Sequence, residues 1–268
     1  MMLRASLWLA LAISPVAAQE VAYEGSLSVA TGDYFFTEPT TSWMLVSGLA
    51  VTAGRVTVRA SVPLYVQNTT LVTRSGSGWV PSGGPMAGTV SDSGGRGSRR
   101  GRVPVSGSAV TGFQSVLGDP MAQASVGLVQ RPRTSVTVGA NVKFPVADTS
   151  EYGTGQWDVG AGISGTQWVG QGFVALDLSY WYIGDLPDLT LRDPVLGTVT
   201  VGRRVGNAWV ASTALYTATA PMEGYPMPVS IGATLGHVGG LLWTASLALG
   251  LSETAADFTF GVSWRARL

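Results

Sequence analysis

The chain has 268 residues, with 16 basic against 16 acidic side chains, one His and no Cys. Zero formal net charge argues against general nucleic-acid binding, which uses a basic surface, and the lack of cysteine excludes a disulfide framework and thiol chemistry. Charged residues make up only 12% of the chain and glycine reaches 36 residues, whereas about a quarter of a soluble domain is charged.

Met1–Ala18 has the layout of a cleaved secretory signal. Arg4 gives the positive start, Ala5–Ile13 the apolar run and Val16-Ala17-Ala18 a small-residue cleavage site. That run is too short to span a bilayer, and no later run approaches the length of a membrane helix. Residues 19–268 then form the mature chain, and twelve strands are predicted along it. The first is Ala22–Thr31, with Tyr23, Leu27 and Val29 on one side and Glu24, Ser26 and Ser28 on the other. Ser42–Thr52 is apolar on both sides, so its facing stays open. Arg55–Val66 alternates cleanly: Val56, Val58, Ala60, Val62, Leu64 and Val66 against Arg55, Thr57, Arg59, Ser61 and Tyr65. Side chains two apart share a face only in a strand.

Residues 67–120 hold the longest irregular tract. Its middle, from 75 to 108, is rich in Gly and Ser and carries Arg96, Arg99, Arg100 and Arg102. Such a segment buries too little apolar surface to offset its ordering entropy. It is either a disordered surface loop or a loop folded into a pore mouth to present arginines to anions. Met121–Gln130 is the fourth strand. Ser135–Val146 and Trp157–Ser164 form a hairpin whose apolar face runs through Val136, Val138, Ala140, Val142 and Phe144 to Val159 and Ile163. Gly172–Ile183, Val195–Arg204, Asn207–Thr219, Met227–Gly236, Leu241–Leu251 and Ala255–Leu268 complete the set; the facing of Asn207–Thr219 is open.

No helical segment is present to cover these apolar faces, so lipid is the expected cover. The predicted fold is all-β: an antiparallel transmembrane β-barrel of about twelve strands in a bacterial outer membrane. Its long loops, above all the one near 67–120, face outward, and its short turns and both termini are periplasmic. The final strand alternates back from Leu268 through Trp264, Val262 and Phe260. It is the segment expected to be read by the barrel-insertion machinery, although it ends in Leu. Aromatics such as Trp43, Trp157, Trp168, Tyr180 and Tyr182 lie near strand ends, where membrane barrels carry interfacial girdles.

Four stretches carry a resemblance: Ser28–Tyr34 (SVATGDY), Leu117-Gly118-Asp119, Val142-Lys143-Phe144-Pro145 and Gly153–Gly160 (GTGQWDVG). In that order they resemble the outer-membrane transporters grouped with the meta-pathway of phenol degradation. The resemblance implies a barrel that passes hydrophobic or aromatic small molecules.

A charge at mid-depth on the lipid side costs about 2–4 kcal/mol for Arg or Lys. The charged strand residues Glu24, Arg55, Arg59, Lys143, Asp158, Asp177, Arg204 and Arg265 are therefore predicted to face the lumen, either as a narrow mixed-charge pore or as a salt-bridged plug. Among them, Lys143 (the only lysine), Arg59, Asp158 and Asp177 are expected to form a constriction at mid-barrel. The expected function is an outer-membrane channel or transporter for small solutes; the alternative is a structural or adhesive barrel with a plugged lumen. No cofactor, metal or catalytic residue is expected. The single histidine, His237, falls in a predicted turn, and the acids of the 184–194 loop read as solvated rather than Ca²⁺-binding.

Overall fold

A computed structural model of the chain describes residues 19–82, 112–147, 152–186, 190–239 and 241–268. The expected leader, the four loop arginines Arg96, Arg99, Arg100 and Arg102, and Asp188 lie outside the described residues. The elements are β1 (Gln19–Gly32), β2 (Thr40–Ala53), β3 (Val56–Gln67), β4 (Val72–Ser75), β5 (Gly78–Pro81), β6 (Gln114–Leu117), β7 (Met121–Arg131), β8 (Thr134–Lys143), β9 (Asp158–Val169), β10 (Gly172–Ile183), β11 (Val195–Val205), β12 (Trp209–Ala218), β13 (Val229–His237), β14 (Leu242–Gly250) and β15 (Phe258–Arg267).

Twelve of these strands close a barrel. Antiparallel pairing runs β1-β2-β3-β7 and onward strand by strand to β15, which pairs back to β1 over Ala22–Thr31. Closure leaves no unpaired edge inside a bilayer, where an unpaired N–H or C=O finds no water. Each of the twelve predicted strands corresponds to one of these, with ends shifted by a few residues. The hairpin strand β8 is shorter than expected: it stops at Lys143, and Phe144 to Val146 leave the sheet.

Facing follows the alternation. Leu49, Val58, Val174 and Leu249 are each about half exposed on the outer wall, as Leu and Val there require a lipid cover. The open facing of β2 resolves with Trp43, Leu45, Leu49 and Val51 outward and Met44, Val46 and the fully buried Ala50 inward. In β12, Leu215 points out and Ser212, Ala214 and Tyr216 point in. A second device marks the outer wall near the short turns. Trp209, His237 and Trp243 pack edge to face and stacked across β12, β13 and β14, with ring centroids 5.1 to 6.2 Å apart. On the neighbouring pair Trp264 lies over Gly25, where a Cβ would sit 2.4 Å from the indole. His237 is thus the last residue of β13 within an aromatic row, not a turn residue. With Trp43, Tyr180 and Tyr182 near the opposite rim, the aromatics bracket the apolar band. Unheated protein in SDS is expected to migrate as a compact band and to shift on boiling; a single unshifting band would contradict the closed ladder.

One end carries tight connections, at 54–55, 132–133, 170–171, 206–208 and 238–241. Gly54 takes φ +59°, a conformation that a Cβ disfavours, to close the first of them. The other end carries the longer connections, and their inner parts pack together there.

Candidate functional site

Three cavities line the lumen, and an apolar plug closes the long-loop end above them. The plug is built by the connections. The tract expected to be irregular begins with a hairpin: β4 and β5 pair Val72 with Pro81 through Ser75 with Gly78 around a two-residue Gly76-Ser77 turn. Gln67, buried at the top of β3, fixes its approach by donating from Nε2 to the carbonyls of Thr69 and Val72, both at 2.8 Å. Inside the mouth Val72 and Val80 join Tyr34, Phe35, Phe36 and Leu71 from neighbouring connections, with Trp181, Ile183 and Leu191 from the β10 side. Trp79 meets Tyr34 at 5.3 Å between ring centroids, and Tyr225 meets Phe35 edge-on at 5.5 Å. Burial pushes the Tyr34 hydroxyl well above the usual phenol range, and its backbone takes φ +52°, which a residue of this size adopts only when packing holds it there. The hairpin tip touches the wall at one place. A Cβ on Gly76 would fall 1.9 Å from the Trp181 ring, and one on Gly160 would fall 2.5 Å from it. A glycine of the hairpin and a glycine of the wall therefore leave the room that the indole fills. A further short strand in the same tract, β6, pairs with the last four residues of β3.

A buried ionic cluster holds this end to the barrel. Lys143 is 1% exposed and Asp158 2%. The Lys143 ammonium lies 3.1 Å from Asp119 Oδ2 and 3.2 Å from Asp158 Oδ2, and donates to Thr154 Oγ1 at 2.8 Å. Asp119 Oδ1 accepts from the N–H groups of Val146 and Ala147, each at 2.8 Å. Asp158 Oδ1 accepts from the N–H of Gly184 at 3.4 Å, and the Gly76 N–H also points at this carboxylate. One lysine thus fastens the connections before β7, before β9 and after β10, together with the mouth hairpin. The expected constriction is corrected here. Lys143 and Asp158 do meet, but at the long-loop end and inside protein, away from Arg59 and from any pore surface. They end β8 and begin β9, and the loops close over them.

The other predicted residues face the lumen, in two groups with Arg204 apart from both. Glu24 of β1 is held between Arg59 of β3 (3.2 Å) and Arg265 of β15 (3.2 Å); Arg265 also pairs with Glu20 at 3.3 Å, and Glu20 with Arg267 at 3.1 Å. Gly48 and Ala50 put no bulk on the inner face of the intervening strand β2, so Arg59 reaches across it. Arg59 Nη1 also donates to Gln123 Oε1 at 3.1 Å. Glu24, Arg59, Gln123 and Arg265 lie on the wall of a cavity of about 710 Å³ at the short-turn end, whose lining also includes Val210, Ser212, Thr234 and Leu242. A second cavity of about 620 Å³ is walled by β3 and β7 to β11, with Arg55, Arg59, Gln123, Asn141 and Asp177 on it. Arg59, Gln123 and Asn141 border both, so the Arg59–Gln123 pair divides them. The third cavity, about 320 Å³, lies under the hairpin, beside Arg74, Trp79 and Tyr216. Arg204, also on the lumen side, stands 5.6 Å over the ring of Trp168, which packs on Phe173 at 4.8 Å near the short turns. Asp185 and Asp193, the acids considered for Ca²⁺, instead accept backbone N–H groups: Asp185 from Leu191, Asp193 from Ile183 at the end of β10.

Sequence reasoning missed Asp119 and Thr154 as ligands of the lysine, and the mouth hairpin. For the first, the signal was present: Asp119, Lys143, Thr154 and Asp158 all lie in the stretches that carry the family resemblance. For the hairpin, Val72 to Pro81 holds two short β-rich runs around Gly-Ser, the pattern of a two-residue turn.

No family model and no curated protein matches the sequence. Solved structures do match the fold. The COG4313 outer membrane channel from Pseudomonas putida F1 aligns with a TM-score of 0.67 at 12% identity, over 95% of this chain and 97% of that one. The fold is that of a bacterial outer-membrane β-barrel. The beta domain of the Bordetella autotransporter BrkA aligns with a TM-score of 0.51 at 11% identity, over 94% and 100%. The monoaromatic hydrocarbon channel CymD aligns with a TM-score of 0.49 at 12% identity, over 94% and 89%. At these identities the likeness concerns the barrel itself.

Proposed function

We propose that the barrel is a narrow outer-membrane channel for small solutes, with short turns and both termini in the periplasm and long loops outside. The observation that carries the proposal is the pair of lumen cavities meeting at Arg59. A twelve-stranded barrel lies between those that side chains fill and those that leave a wide aqueous bore, so one arginine at a divide governs passage. The apolar mouth supports solutes with an apolar body, in keeping with the hydrophobic or aromatic molecules that the phenol-pathway resemblance implies. Insertion into the outer membrane through the alternating strand β15 completes this reading. No catalytic role is proposed; His237 packs on the lipid-facing aromatics.

Arg59→Ala tests the channel. Removing the divide is expected to raise single-channel conductance in planar bilayers by a factor on the order of two, since lining charges and radius set conduction. The ion pair to Glu24 that the change breaks is about one third exposed and worth under about 1 kcal/mol, so the barrel should still fold. The closed apolar mouth favours a second reading, a structural barrel with a plugged lumen. A wild-type barrel that inserts yet passes no current would establish that reading against the first.

A further inference from the structure

The lumen charges are not equivalent. Glu24, Arg59 and Arg265 on the wall of the first cavity are tied to one another, and through Glu20 to Arg267, in one chain of ion pairs. In the second cavity two charges of opposite sign are left over. Among the described residues, neither the Arg55 guanidinium nor the Asp177 carboxylate has a hydrogen-bond or ion-pair partner, yet both line the same space of about 620 Å³. Arg55 stands at the β2–β3 turn. Asp177 stands mid-strand on β10, in one cross-strand row with Thr198 and Tyr216. A charge facing a confined lumen is stable only with water or an opposite charge beside it, and a solute bearing that charge replaces the water at a gain.

We propose that this cavity is a subsite for small zwitterions with an apolar body, carboxylate toward Arg55 and ammonium toward Asp177. The proposal rests on the channel reading and narrows its solute class. A neutral hydrocarbon gains nothing from either group and strands both. A solute with a single charge satisfies one group and strands the other. Hydroxyls and amides at Thr57, Ser125, Asn141 and Thr198 on the same walls accept or donate to either end without choosing between them. Selection is therefore left to the two unpaired charges.

The test compares three solutes with similar six-carbon bodies: 6-aminohexanoate, hexanoate and hexylammonium. Glycine serves as a zwitterion of minimal span. The readout is the length of the interruptions each causes in the ion current of the full-length barrel in planar bilayers. In wild type, 6-aminohexanoate should interrupt current about tenfold longer than either singly charged analogue, the effect of one added charge-assisted hydrogen bond. Asp177→Asn should abolish its advantage over hexanoate, and Arg55→Gln its advantage over hexylammonium. A change of overall lumen potential cannot mimic this, because it moves hexanoate and hexylammonium in opposite directions. Equal interruption by all three solutes, or variants that discriminate as wild type does, would overturn the subsite and leave the channel standing. A barrel that carries no ion current overturns both.

Discussion

Lys143→Met is expected to destabilise the long-loop end more than any other single substitution in the barrel. It leaves Asp119 and Asp158 buried within about one side chain of each other with no cation between them. Removing one partner of a buried pair costs about 3–5 kcal/mol, because the remaining charge is stranded, and here two carboxylates are stranded. The carboxylates then protonate or draw in water, and either outcome loosens the connections that hydrogen-bond to them at Val146, Ala147 and Gly184. Denaturant unfolding in detergent should show the loss, and proteolysis should cut first in the connections around Asp119 and Thr154. Asp119→Asn combined with Asp158→Asn in the Lys143→Met background removes the stranded charges. It should recover part of the stability, which a loss of aliphatic packing alone would not allow. A Lys143→Met barrel as stable and as protease-resistant as wild type would show that the cluster is not what holds the mouth.

The barrel was legible in the sequence because its signal is spread over the whole chain. In Arg55–Val66 or Gly172–Ile183 every second residue declares a face, and one shifted residue would put Arg59 or Asp177 into lipid. Where alternation failed, as in β2 and β12, both faces carry small apolar residues such as Ala50 and Ala214. The facing there is set by what neighbouring strands present, such as Arg59 reaching over β2. Lys143 and Asp158 were placed on the lumen face by the same alternation. They sit at strand ends, however, where the pattern gives way to loop packing, and their depth depends on residues of other connections, Asp119 for Lys143 and Gly184 and Gly76 for Asp158. The mouth plug was least legible. Its hairpin is four residues a side within a Gly/Ser-rich stretch, so local composition favours disorder while long-range burial against Trp181 and Tyr34 decides the outcome.

Trp181→Ala should open the mouth. The indole is 5% exposed and fills the slot between Gly76 of the hairpin and Gly160 of β9. Truncating a buried Trp costs about 3–5 kcal/mol, part of it for the cavity left behind. That cost falls on the contact between hairpin and wall, while the strand ladder of β9 and β10 keeps its backbone bonds. The hairpin is the weaker partner: four-residue strands do not hold a position without a packed face. It should therefore detach while the barrel stays closed, leaving the heat shift in SDS intact and raising single-channel conductance above that of wild type. Gly76→Leu reaches the same state from the other side, since its side chain cannot share the slot with the ring. Combining the two substitutions should give less than the sum of their separate effects, because the leucine then occupies the space the indole vacates. Conductance unchanged by either substitution would mean that the hairpin does not stand in the path, and that solutes pass beside it.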